Sequence, residues 1–291
     1  MQLTHTRAVL LMVVVTFLWS LAGLVTRHLE HAQKFEVTFW RSLFTFACLL
    51  LILPAWQGFG VFRRMRHAGA ALWLSGLCWS GMFTFFMLAL MLTSVANVLV
   101  TMALAPLFTA LAARFLINYA VPLRTWVAIM IAGGGIVFMY GSQLGEGISI
   151  AGTLLALCIP MAGAANWTVS QHAHSKGQNI DMVPAVLIGA GLSALLTFPL
   201  ALPFQASGFD LTLLAGLGIV QLAIPCVLAV QCARVLKAPE VALLSMLEVI
   251  FGILLVWWGA SEAPRPEVLV GGALVIGALL ANEMLGWRLR R

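Results

Sequence analysis

The sequence predicts an all-α integral membrane protein in which ten transmembrane helices form two inverted five-helix repeats. Three observations carry that expectation. Of the 291 residues, 62% are hydrophobic and only 9% charged, and the mean hydropathy is +1.02, whereas soluble domains hold roughly 45–50% apolar and 25% charged residues. Apolar stretches of about 20 residues, long enough to cross about 30 Å of hydrocarbon as a helix, recur along the whole chain. The 16 Lys and Arg residues are unevenly shared among the short loops between them.

The stretches between charges and breakers place the spans at 8–27, 35–54, 69–91, 96–115, 123–141, 150–171, 182–204, 210–232, 240–258 and 267–287. The first could be taken for a signal peptide, but its uncharged run exceeds the usual apolar core of one. The third and fourth come from one uncharged stretch too long for a single helix, which the polar segment "MLTSVAN" at 91–97 divides into a hairpin. With an N-terminus in the cytoplasm, Arg7, Arg63, Arg64, Arg66, Arg114, Arg124, Lys176, Arg234, Lys237, Arg288, Arg290 and Arg291 fall on that side. Only Arg27, Lys34, Arg41 and Arg265 remain opposite, together with six of the carboxylates. That is the positive-inside bias, with both termini cytoplasmic.

So little chain lies outside the spans that no soluble catalytic or nucleic-acid-binding domain is expected. The +6 net charge reads as orientation and contact with lipid headgroups, since nucleic-acid binding needs a larger basic surface. The five cysteines all lie inside spans as packing residues. His28, His31, His172 and His174 fall in predicted loops without the spacing of metal ligands. No metal, cofactor or catalytic residue is expected, because the chain has neither a His-Glu-x-x-His motif nor a nucleophile with a base.

Repeats come next. "WSLAGLVTRH" at 19–28 aligns with "GAANWTVSQH" at 163–172, and "LAPLFTAL" at 104–111 with "LEVIFGIL" at 247–254, at offsets of 144 and 143. Residues 1–147 and 148–291 are thus read as two repeats within one membrane domain. Five spans per repeat is an odd number, so tandem copies insert in opposite senses and the site is expected at the midplane between them.

The segments "TFLWSLAGLVTRHL", "FWRSLFTFACLLL", "ALAPLFTALAARFL" and "LLSMLEVIFGILL" resemble landmarks of the drug/metabolite transporter superfamily, in its EamA-type branch of ten-helix carriers. The chain is most similar to bacterial aromatic amino acid exporters of the inner membrane. That resemblance implies an alternating-access carrier moving neutral, mainly aromatic amino acids out of the cytoplasm. The alternatives are a carrier of the same fold for another metabolite or a drug and, from another class, a membrane-embedded enzyme. The sequence departs from the family pattern at Leu247-Glu248-Val249, where the branch usually has proline third.

Individual residues point to a site. Glu248 is the only charge between Val241 and Ser261, and an ionised carboxylate at mid-bilayer costs about 2.5–3.5 kcal/mol or more. Either a coupling or substrate-amine role, or a structural one on a face shared with Ser245 and Gly252, would offset this. Seven of the 10 tryptophans lie near span ends, where indoles favour the headgroup level. Trp19, Trp79 and Trp167 lie inside spans. They become substrate-binding candidates, joined by Ser80, Phe83, Thr101, Met102 and Asn166 through helical proximity. Pro106, Pro160 and Pro225 are candidate hinges or static kinks. Arg41 is left with three readings: a substrate carboxylate, the interface, or Glu36.

Overall fold

The computed structural model describes residues 3–26, 28–93, 98, 101–141, 149–176, 180–260 and 266–289. Helices are α1 His5–Thr26, α2 Lys34–Gln57, α3 Gly60–His67, α4 Gly69–Leu92, α5 Ala105–Ile117, α6 Leu123–Tyr140, α7 Ile150–Ser175 and α8 Val183–Ala201. After these come α9 Gly208–Cys232, α10 Ala238–Ser245, α11 Leu247–Ala260 and α12 Pro266–Leu289. Among the described residues, 7 helices (α1, α2, α4, α7, α8, α9 and α12) are long and apolar enough to cross a membrane. Mid-helix Leu51, Met130 and Leu195 stand exposed on the outside of the bundle. Such apolar surface is costly in water and at home in lipid.

Helix starts follow local chemistry. Ser149 accepts from the Gly152 amide at 3.3 Å, and at α9 Ser207 and Asp210 cap each other's amides at 3.1 Å, a reciprocal capping box. Proline opens α8 and α10 within the first turn, where the missing N–H has no helical partner to lose. α7 runs to Ser175 rather than stopping near 171, so His172 and His174 sit in its last turn and not in a loop. His174 Nδ1 lies 2.7 Å from the Ser170 carbonyl, within the helix.

Two expected spans are interrupted. Residues 103–104 are turn, and α5 begins only at Ala105. Much of the predicted stretch before it, 94–97 and 99–100, lies outside the described residues. Pro106 therefore stands in the first turn of α5 instead of kinking a continuous helix. The segment 240–258 is likewise divided at Met246. There Met246 N bonds Leu243 O at 3.1 Å and Val249 N bonds Met246 O at 3.2 Å, three-residue spacings that tighten the chain. The Ser245 hydroxyl takes the Val241 carbonyl at 2.8 Å, and such back-bonding bends helices. The break thus forms without the proline.

In packing, α4 lies on α7 and α8, α2 on α8, α6 on α12 and α5 on α7. α1 lies against α9 and α11, α2 also meets α9, and α5 meets α10. Trp79, Phe83 and Trp167 belong to the largest core cluster, with residues of α1, α8, α9 and α10. Small and hydroxyl residues permit the close contacts: Ser42 and Thr84 each reach the Ser193 hydroxyl at 3.1 Å, joining α2, α4 and α8.

Carboxylates tie both ends. Glu36, fully buried, accepts from the Gln205 and Ala206 amides at 3.0 and 2.9 Å and from the Trp40 indole at 3.2 Å. Asp210 accepts from the amides of Glu30, His31 and Ala32 at 2.9, 3.0 and 3.2 Å. The carboxylate that opens α2 thereby holds the loop before α9, and the one that opens α9 holds the loop before α2. Hydrogen bonds to a charged group contribute about 1.5–3 kcal/mol each. At the other end Asp181 binds Arg234 at 2.7 Å and Gln57 at 2.6 Å.

Candidate functional site

A cavity of about 170 Å³ opens in the centre of the bundle, walled by α1, α2, α4, α5, α7, α9, α10 and α11. Its aromatic wall is Trp19 from α1, Trp79, Phe83 and Phe86 from α4, and Trp167 from α7. The Trp79 and Trp167 rings meet edge to face, centroids 5.6 Å apart and planes at 87°, and Phe83 lies 5.5 Å from Trp79. Such pairs hold one another in place and leave ring faces available for stacking.

Glycines allow this wall to form. At Gly189, on α8, an added Cβ would clash with the Trp79 Cβ and lie 3.0 Å from both the Gly76 carbonyl and the Ser80 amide, so α4 and α8 touch backbone to backbone. On α9, a Cβ at Gly218 would fall 2.8 Å from the Arg41 carbonyl and 2.6 Å from the Phe44 Cβ. The Thr45 hydroxyl lies 2.8 Å from the Gly218 carbonyl. Gly218 belongs to a π-helical turn, Leu217–Ala223, a distortion frequent at functional sites. This contact brings Arg41 of α2 and Gln221 of α9 into one cavity.

Of the sequence candidates, Trp19, Trp79, Phe83, Met102, Trp167, Pro160 and Glu248 line the cavity. Ser80, Thr101 and Asn166 do not, and each is the chain neighbour of a residue that does. Successive helical residues point about 100° apart, so the neighbour of a lining residue turns into the packing between helices. All three are buried, and Asn166 Oδ1 accepts from the Ser75 hydroxyl at 2.6 Å. Pro106 and Pro225 are buried outside the lining. Glu248 occupies the first turn of α11, where the helix dipole favours a carboxylate. Ser245 also lines the cavity, whereas a Cβ at Gly252 would meet nothing within 4 Å among the described residues.

Arg41 and Gln221 are the residues that sequence reasoning undervalued. Arg41, 5% exposed, turns into the cavity rather than to the interface or to Glu36. Arg41 and Glu248 line the same cavity, yet among the described residues no ion pair within 4.0 Å joins them. Gln221 donates from Nε2 to the Trp19 carbonyl at 3.1 Å. A signal for it existed: it is the single amide in the apolar run "LGIVQLAIP" at 217–225. Among the described residues no group of three His, Cys, Asp or Glu could hold a metal ion.

Helices long and apolar enough to span, packed around a small central cavity, are the architecture of a multi-pass membrane protein. Residues 6–141 match the sequence profile of the EamA-like transporter family. Over that segment the chain is similar to an EamA-like transporter domain, a likeness that points toward a small-molecule transporter. A solved structure titled "Crystal structure of protein" is similar over 97% of this chain and 99% of its own, with TM-score 0.78 at 19% identity. That likeness is one of fold. No curated protein matches the chain.

Proposed function

We propose that this protein is an alternating-access carrier of the bacterial inner membrane that exports neutral, mainly aromatic amino acids. The observation that carries the reading is the meeting of three interior tryptophans from α1, α4 and α7 with a guanidinium and a carboxylate in one cavity. Ring faces suit a flat side chain, and opposite charges suit a substrate without net charge. A volume of about 170 Å³ is below the roughly 300–1,000 Å³ of drug-sized sites, which favours a metabolite of amino-acid size. A nucleotide sugar would call for several cations, and Arg41 is the one cationic residue in the lining among the described residues.

Two features support ten spans as inverted repeats, 1–147 and 148–291. The breaks at 103 and 246 are 143 residues apart, the same offset as the sequence alignment, and interrupted helices in corresponding positions point to a transporter's site. Three of the main packings also correspond under exchange of halves: α4 on α7 matches α9 on α1, α4 on α8 matches α9 on α2, and α5 on α7 matches α11 on α1. In the proposed orientation both termini are cytoplasmic. Gln205→Cys is then expected to react with an impermeant thiol reagent on intact cells and Ser175→Cys only after lysis, with the unmodified chain as background. Reversed labelling would refute the orientation.

Uptake into proteoliposomes tests the substrate. Trp79→Ala and Trp167→Ala each remove an aromatic contact worth about 0.5–1.5 kcal/mol beyond area burial, an affinity loss of roughly two- to tenfold from that contribution alone. Labelled tryptophan and phenylalanine are expected to lose most, and alanine least. Normal aromatic uptake by both folded variants would remove these rings from the site. Equal losses for all substrates, in step with protein yield, would assign them to packing.

A further inference from the structure

We propose that the cavity is a receptor for the zwitterionic headgroup of an α-amino acid, in which Arg41 and the Trp79 indole take the carboxylate while Gln221 and Glu248 take the ammonium. This deepens the reading of the chain as an aromatic amino acid carrier and rests on it. Arg41 Nε, Trp79 Nε1 and Gln221 Oε1 are buried polar atoms with no hydrogen-bond partner among the described residues. Their side chains are all more than nine-tenths buried, and all three residues line the same cavity. Buried polar groups are nearly always paired, so three unpaired ones on residues that line one cavity call for a ligand.

The three atoms have a definite polarity. Arg41 Nε and Trp79 Nε1 can only donate. The Gln221 amide is oriented by its bond from Nε2 to the Trp19 carbonyl, because a carbonyl can only accept. Its Oε1 is therefore a bare acceptor. Glu248, facing the same space, is an acceptor when ionised. Two donors, one of them on a cation, together with an acceptor and a carboxylate in the same lining, complement a carboxylate and an ammonium in one molecule. Arg41 and Glu248 sum to no net charge, so a zwitterion matches both, whereas an amine or an acid alone leaves one of them unmatched.

The test is competition binding on the purified full-length chain, using labelled phenylalanine against unlabelled phenylalanine, phenethylamine and 3-phenylpropionate. The last two keep the ring and lack the carboxylate or the amine. We expect the unmodified chain to prefer phenylalanine over each by at least roughly tenfold. Arg41→Gln should abolish the preference over phenethylamine, and Gln221→Leu should reduce that over 3-phenylpropionate. If Arg41→Gln does not yield folded protein, Trp79→Phe keeps the ring and removes the N–H, and should narrow the preference over phenethylamine. Equal competition by all three compounds would overturn the headgroup assignment and leave an aromatic-solute carrier standing. So would a folded Arg41→Gln or Trp79→Phe with the parental preference. No binding of phenylalanine by the unmodified chain would overturn the amino acid reading itself.

Discussion

Gly189→Val is expected to abolish transport of every substrate and to lower the melting temperature of the purified protein markedly. The atoms that a Cβ would meet at this position include the Gly76 carbonyl and the Ser80 amide of α4, both at 3.0 Å, together with the Cβ of Trp79. None is the free end of a flexible side chain, so the added methyl groups must drive α8 away from α4. Overpacking a well-packed interior costs about 1–3 kcal/mol, and here the displaced residue is itself part of the cavity wall. Differential scanning fluorimetry and proteoliposome uptake read the two effects. Gly277→Ala is the control: a Cβ there meets nothing within 4 Å, and alanine is favoured over glycine in a helix by up to about 1 kcal/mol. It should melt no lower than the parent. A Gly189→Val protein with parental melting and uptake would contradict backbone contact between α4 and α8.

If Glu248 carries a coupling proton, Glu248→Gln is expected to remove the response of transport to a proton gradient while exchange of substrate for substrate survives at saturation. Glutamine preserves the size of the side chain and can still accept a hydrogen bond from an ammonium, but it cannot bind and release a proton. Counterflow and gradient-driven uptake in the same proteoliposomes separate the two activities. Gradient-driven uptake should fall at least roughly tenfold, with exchange reduced mainly through affinity. If Glu248 is instead a structural residue, both activities fall together with the yield of folded protein. Full gradient-driven uptake by the variant would end the coupling role.

Much of this molecule could be read from the chain before folding was considered, and the reason is chemical. Lipid cannot satisfy a peptide group, so apolar stretches of this length are expected as helices, whereas the breaks at 103–104 and Met246 and the run of α7 to Ser175 did not follow from hydropathy. Residue type pointed to Trp19, Trp79, Trp167 and Glu248 because each is anomalous for its depth. Helical proximity was the weaker guide. Ser80, Thr101 and Asn166 were drawn in by adjacency to lining residues and face elsewhere, since an apolar helix in lipid carries little amphipathic signal to set its rotation.

The sequence by itself determined a membrane-embedded helical chain with polar and aromatic anomalies in its interior, because those properties depend on residue chemistry and local spacing alone. Only the tertiary structure decided which anomalies meet. Arg41 had three possible fates by sequence. It turns inward because Glu36 is occupied by the Gln205 and Ala206 amides, 169 and 170 residues away in the chain, and because Gly218 lets α9 close on α2. Gln221 joins it through the π-helical turn, and Glu248 through the break at Met246. These are packing outcomes, set by contacts between helices far apart in sequence.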